Sequence, residues 1–292
     1  MAKDIVFMDG AMGTCLWDKA QERGLKKVPV WRYGIEAPEL VREAHEEYVE
    51  AGSCMILTDT FAANALEVSH FSSYAVGQVV GAAVRVAKEA AAGRAKVALD
   101  IGPLSELLEP YGDISVDQAR GLYEEQIGSG MAEGPDAICL ETFTDVEMLK
   151  IALEVAEGYD VPILCSMSFM DTKQTGIGRT MMGNSVEDIV AALGGRRVEA
   201  VGLNCSLGPE DALPILKEFA AATDLPLFFK PNAGLPTLEK DGTSRAALDI
   251  EAFVDGVLPA VEIGATYIGG CCGSSPDYIR RLVEKVGEAR RA

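Results

Sequence analysis

Short apolar runs alternate with longer segments of helical spacing from one end of the chain to the other. Eight runs have the length of strands: residues 5–9, 55–60, 97–101, 137–142, 163–169, 200–205, 227–231 and 266–270. Between them, apolar residues recur at the three-to-four-residue spacing of amphipathic helices over 38–51, 76–92, 116–132, 146–157, 186–193, 210–222 and 250–263, and a last helix over 276–290 closes the chain. Ser275 ahead of Pro276 reads as an N-cap followed by proline at the first helical position.

Strand then helix, eight times, at about 36 residues per unit, predicts an α/β fold of the (β/α)8 TIM-barrel type, a single domain over residues 1–292. The strand segments are continuous apolar runs, as a parallel sheet buried on both faces requires. An open doubly wound sheet is the competing architecture. It usually carries Gly-x-Gly-x-x-Gly after its first strand, and Gly10 and Gly13 do not complete that fingerprint. The two longest connections, 17–37 and 232–249, follow strands, on the barrel face where active sites lie.

Composition narrows the function. The chain has 292 residues, 48% apolar and 24% charged, which excludes disorder for its bulk. Its formal charge of −19 argues against nucleic acid and anionic membranes as partners. The first residues carry no signal-peptide pattern, and no apolar run reaches the length of a membrane span. Seven cysteines without an export signal suggest a reducing compartment, the cytoplasm.

The polar residues at the carboxyl ends of the predicted strands are the candidates for chemistry. They are Asp9, Asp59-Thr60, Asp100, Glu141-Thr142, Ser166, Asn204-Cys205, Asn232 and Gly269-Gly270-Cys271-Cys272. Cys205 ends strand 6 and Cys271 and Cys272 end strand 8, so one neighbouring strand separates them. Three thiolates suit Zn2+, at Zn–S distances of about 2.3 Å, and leave a fourth position open to water or substrate. Buried thiols without a metal are the alternative. Adjacent side chains on a strand point to opposite faces, and the two preceding glycines permit the distortion that would turn both inward. Cys54, Cys139 and Cys165 read as core residues, and Cys15 as a packing residue in the loop after strand 1.

His45 and His70 are the only histidines, which weakens any mechanism that needs a histidine base. His45 lies in a glutamate-rich helix and reads as solvated; His70 reads as structural. Asp9, followed by the glycine-rich turn of Gly10 and Ala11, and Glu141 across the rim suit an α-amino acid: carboxylates take the ammonium group and turn amides take the carboxylate. Capping of neighbouring loops explains Asp9 and Glu141 equally well.

Several of these segments carry a resemblance. Asp9-Gly-Ala-Met-Gly-Thr14, Thr58-Asp-Thr-Phe-Ala-Ala-Asn64, Glu141-Thr-Phe143, Gly202-Leu-Asn-Cys205, Pro231-Asn-Ala-Gly-Leu-Pro236 and Gly269-Gly-Cys-Cys-Gly273 resemble the homocysteine S-methyltransferase family. The likeness runs over essentially the whole chain. It implies a (β/α)8 barrel with zinc on Cys205, Cys271 and Cys272, and homocysteine sulfur in the open position. It further implies Asp9 and Glu141 on the amino group, the amides around Gly10 and Ala11 on the carboxylate, and Asn232 filling the fourth zinc position before substrate arrives. A free thiol, with a pKa of about 8.5, is mostly protonated at neutral pH; coordination to zinc makes the nucleophilic thiolate available there, so no general base is needed.

The methyl donor varies within the family. The betaine-using branch has a long C-terminal extension, whereas this sequence ends one helix after Gly-Gly-Cys-Cys-Gly. Gly178-Arg-Thr-Met-Met-Gly183 and Asn232-Ala-Gly-Leu-Pro236 are more similar to the homocysteine module of cobalamin-dependent methionine synthase. The expectation is therefore methylcobalamin on a separate corrinoid protein. The alternatives are an autonomous enzyme using S-methylmethionine or S-adenosylmethionine, and a zinc- and thiol-binding subunit without turnover.

Overall fold

Eight short parallel strands curl into a ring in the computed structural model, which describes residues 4–170, 178–234, 237–238, 244–245 and 247–289. In chain order they are β1 (Val6–Phe7), β2 (Met55–Leu57), β3 (Lys96–Ile101), β4 (Ala137–Phe143), β5 (Ile163–Met167), β6 (Ala200–Asn204) and β7 (Leu227–Lys230). After a two-stranded antiparallel ribbon, β8 (Thr237–Leu238) with β9 (Ser244–Arg245), comes the last barrel strand, β10 (Ala265–Ile268). The hydrogen-bonded order is β1-β10-β7-β6-β5-β4-β3-β2, and a bridge from Met8 to Met55 brings its two ends together. This is the expected (β/α)8 barrel rather than an open sheet. Leu235, Pro236 and Arg290 lie outside the described residues.

Alternation along the strands, masked in the sequence because both faces are apolar, decides what lies inside the ring. Met8, Met55, Leu57, Ala98, Ala137, Cys139, Leu164, Ala200 and Phe228 form one buried cluster, the filling of the barrel. Their neighbours in sequence, among them Leu99, Ile138, Leu140, Cys165, Val201 and Phe229, belong to the larger core under the helices. Two residues beyond the inner filling on the same strand faces stand Asp59, Asp100, Glu141, Ser166 and Lys230, so polar side chains succeed apolar ones at the carboxyl rim.

The helices are α1 (Met12–Glu22), α2 (Tyr33–Glu36), α3 (Pro38–Glu50), α4 (Ala65–Phe71), α5 (Val76–Ala91), α6 (Val116–Met131), α7 (Val146–Ala156), α8 (Val186–Leu193), α9 (Pro209–Ala222), α10 (Ile250–Ile263) and α11 (Pro276–Ala289). Their starts are chemically marked. Ser115, Asp145, Ser185 and Asp249 each accept a backbone N–H of the following first turn, and α11 begins at Pro276 as expected. The connection 17–37, read as a loop, contains the end of α1, a 3-10 turn over Val30–Arg32 and α2.

Two single-residue expectations fail. His45 is fully buried, because α3 presents Leu40, Val41, Ala44, His45, Tyr48 and Val49 as one inward stripe while its glutamates face out. Cys54 is exposed rather than core; it precedes β2, outside the ladder. Cys139 and Cys165 are buried as expected, and Cys15 is half-buried against the α1–α3 core. No described helix is long and apolar enough to cross a membrane.

Candidate functional site: a thiol cluster and a buried charged rim

Cys205 follows β6 directly, and Cys271 and Cys272 follow β10, with β7 between the two strands. The three sulfurs lie within 4.8 Å of one another, and Cys205 Sγ is 3.7 Å from Cys272 Sγ. The continuation of β7 ties the two loops together: the Cys205 N–H donates to the Lys230 carbonyl at 3.1 Å, the Cys271 N–H to Pro231 at 2.9 Å, and the Ala233 N–H to Cys272 at 2.9 Å. Gly269 and Gly270 are needed for close approach, not for unusual dihedrals. A Cβ on Gly269 would stand 2.6 Å from the Asp9 carbonyl oxygen, and one on Gly270 would stand 2.3 Å from Ser274 Oγ.

Crowding makes the thiols unequal. Hydrogen bonds from the Cys271 and Cys272 thiols pull Cys205 down to about 3 against its burial, helped by the Ser206 backbone and Asn232. The same contacts with Cys205 push Cys271 well above the ordinary thiol range. Beside them Asn232 is 2% exposed, and its Oδ1 accepts no hydrogen bond among the described residues. A buried amide oxygen without a donor costs on the order of 1–3 kcal/mol. Three thiols and one orphaned oxygen are the donor set of a tetrahedral borderline-soft cation, so the residues present fit zinc.

A second group lies across the rim. Glu141 is 8% exposed with Oε2 unpartnered among the described residues, and burial pushes its carboxyl up to about 7 against the pull of Lys230. Asp100, one strand away on β3, is buried with Oδ1 likewise unpartnered. Asp9 is different: its Oδ2 accepts the Leu57 N–H at 2.7 Å and its Oδ1 takes the Lys230 ammonium at 2.8 Å, both side chains fully buried. Burial works against the charge on Lys230, yet Asp9, Glu141 and Cys271 together hold its pKa above the ordinary lysine range. The Ala11 N–H is also engaged, on the Ser274 carbonyl at 3.1 Å. Tyr48 Oη lies 3.2 Å from both the Ala11 and Ser274 carbonyls, joining this turn to the cysteine loop.

A profile of the homocysteine S-methyltransferase family matches residues 6–286. The chain belongs to that family. It is 27% identical over 307 residues to the methionine synthase of Mycobacterium leprae, covering 98% of this chain and 24% of that protein. Against the methionine synthase of Mycobacterium tuberculosis it is 27% identical over 316 residues, covering 100% of this chain and 25% of the relative. The chain thus spans about a quarter of the length of these curated relatives. Among solved structures, the apo form of the homocysteine methyltransferase MmuM from Escherichia coli superposes with a TM-score of 0.74 at 25% identity, over 97% of this chain and 96% of that one. The metallated form gives 0.79 at 24% identity over the same shares, a likeness of fold.

The segments that carried the resemblance in sequence therefore meet at one rim: the Asp9 turn, Glu141, Cys205, Asn232 and the Cys271-Cys272 pair. Sequence reasoning missed Lys230. Its signal was present, since a lysine ending the apolar run Leu-Phe-Phe-Lys at a barrel mouth points inward by alternation. His70, on α4, is exposed with its ring edge-on to Phe71.

Proposed function

We propose that this chain transfers a methyl group to the sulfur of homocysteine, forming methionine, with zinc held by Cys205, Cys271 and Cys272 and with Asn232 as the fourth ligand before substrate arrives. The observation that carries the reading is the convergence of three thiols within 4.8 Å at the rim where Asn232 and Glu141 keep oxygens without a partner among the described residues. When bound, zinc supplies the positive charge that keeps a substrate thiol deprotonated near neutral pH. The protein's own residues bind and orient. Glu141 receives the substrate ammonium at its free oxygen, Asp9 stands behind it on Lys230, and the turn at Gly10 and Ala11 faces the carboxylate. Because Ala11 already donates to Ser274, the neighbouring Gly10 amide is left the larger share of that contact. In the transfer an S–CH3 bond forms, the bond from methyl to donor breaks, and the thiol proton passes to solvent.

The donor in this reading is methylcobalamin on a separate corrinoid protein. Support comes from residues 178–183 and 232–236, which resemble the homocysteine module of cobalamin-dependent methionine synthase. Free thiols and the absence of a membrane-crossing helix among the described residues suit a cytoplasmic setting. One observation favours a second donor. The buried carboxyls of Asp100 and Glu141 each keep an oxygen without a partner among the described residues, and a cationic sulfonium such as S-methylmethionine would favour their ionised forms. The test is to incubate zinc-loaded protein with L-homocysteine and either methylcobalamin or S-methylmethionine, and to quantify methionine. Methionine from methylcobalamin is expected. Product from S-methylmethionine alone would replace the donor, and homocysteine binding without product from either would leave a thiol-binding subunit.

A further inference from the structure

Asn204, the last residue of β6, is 1% exposed and uses every hydrogen-bonding position of its amide. Its Oδ1 accepts the Thr142 N–H at 2.9 Å and the Ser166 hydroxyl at 2.7 Å. Its Nδ2 donates to Thr142 Oγ1 at 2.7 Å and to Cys271 Sγ at 3.9 Å. The backbone N–H of Thr142 can only donate, so the amide has one possible orientation. One side chain thereby touches the carboxyl ends of β4 and β5 and the thiol loop after β10.

The grip on Thr142 matters because of what Thr142 does. Its φ is +63°, a left-handed conformation that is rare for a β-branched residue. At the same place the β4–β5 pairing shifts register, between Leu140 and Phe143. A local irregularity of this kind re-aims the side chains around it, and the residue immediately before Thr142 is Glu141, whose Oε2 is buried and unpartnered among the described residues. Two hydrogen bonds with Asn204, one accepted from the Thr142 N–H and one donated to the Thr142 hydroxyl, hold the strand in this form.

Resting on the functional reading above, we infer that Asn204 is a positioning residue that couples the two halves of the site. It fixes the kink that aims Glu141 at the substrate ammonium, and it donates an N–H to the Cys271 sulfur of the thiol cluster. Buried networks in which every member is satisfied specify a single arrangement of their groups, and outer partners of metal-binding side chains typically change metal affinity about 10–100-fold when removed.

Two variants separate the two roles. Asn204→Asp keeps an oxygen for the Thr142 N–H and the Ser166 hydroxyl but replaces the donor facing both Thr142 Oγ1 and Cys271 Sγ with an anion. Ser166→Ala leaves that donor in place and loosens only the amide's seat. Calorimetric titration of zinc-loaded protein with homocysteine and with its des-amino analogue, 4-mercaptobutyrate, reads the ammonium contact. Chelator competition reads zinc affinity without any turnover. For Asn204→Asp, homocysteine binding should weaken about 10-fold or more, the preference over the analogue should shrink in proportion, and zinc affinity should fall about 10-fold. For Ser166→Ala the preference should shrink several-fold while zinc affinity stays at the wild-type level. Wild-type preference in a folded Asn204→Asp protein would overturn the inference; if that variant does not fold, wild-type preference in Ser166→Ala overturns it instead. A wild-type protein that binds zinc but shows no preference for the amine would overturn both the inference and the amino-acid-binding half of the functional reading, whereas one that takes no zinc would sink the reading at its metal.

Discussion

Three sulfurs cannot all be ionised within 4.8 Å of one another without a cation between them. In the protein alone the contacts with Cys271 and Cys272 favour the thiolate at Cys205, and the same contacts with Cys205 disfavour it at Cys271 and Cys272. A bound divalent cation removes the reason for that inequality, and each thiol that is lost removes a quarter of a tetrahedral shell. Cys272→Ser should therefore drop zinc content from one ion per chain to a small fraction and methionine formation by about 100-fold or more. Metal analysis beside the methionine assay checks this, and a variant that kept both its zinc and its full rate would remove Cys272 from the ligand set. At this scale the sequence showed which residue types were present. It did not show that Asp9 would be engaged by Lys230, because that contact joins residues 221 positions apart.

Among the elements, α3 carries the clearest lesson. Its inward stripe includes His45, whose two ring nitrogens have no hydrogen-bond partner among the described residues. Burial lowers its pKa from 6.5 to about 3, so the folded protein keeps it neutral while the unfolded chain protonates it near pH 6.5. Stability from this group is complete above pH 6.5 and is lost as pH falls toward 3, at about 1.4 kcal/mol per pH unit. Denaturant unfolding of the wild type and of His45→Leu at pH 7.5, 6 and 5 checks it. The wild type should lose about 1–2 kcal/mol relative to the variant between pH 7.5 and 5. Parallel pH curves would show that His45 meets a proton-accepting partner. The helix itself was legible from its period, whereas the face it turned inward was misjudged from the glutamates around His45. The stripe of Val41, His45 and Val49 at four-residue spacing was the better signal.

Over the whole molecule, closure of the ring is what turns scattered motifs into one site. Strands β6, β7 and β10 stand side by side, so residues 205, 232 and 271–272 meet although up to 67 residues separate them in sequence. A ligand that binds only this assembled arrangement must stabilise the fold, by about 2.7 kcal/mol when free metal stands at 100 times its dissociation constant. For a chain of this length each kcal/mol moves the melting temperature by about 2–4 °C. Thermal unfolding before and after treatment with a zinc chelator should show a fall of several degrees that added zinc restores. An unchanged melting temperature would mean that no metal of this affinity is held by the folded protein.

Hydrophobic periodicity alone determined the order of the eight barrel strands and of the long helices between them, though not α1, α2, α4 or the β8–β9 ribbon. The (β/α)8 architecture and the meeting of Cys205, Cys271 and Cys272 were legible for the same reason: strand ends in a parallel barrel share one rim. Only the tertiary structure decided which groups on that rim are free and which are engaged. Among the described residues Glu141 and Asn232 keep unpartnered oxygens, while Asp9 and Ala11 are occupied by Lys230 and Ser274. The position of Asn204, gripping a left-handed Thr142 beneath Glu141, was equally hidden. Hydrogen-bond partnership depends on distances of a few tenths of an ångström between strands remote in sequence, and no local pattern of residues encodes those distances.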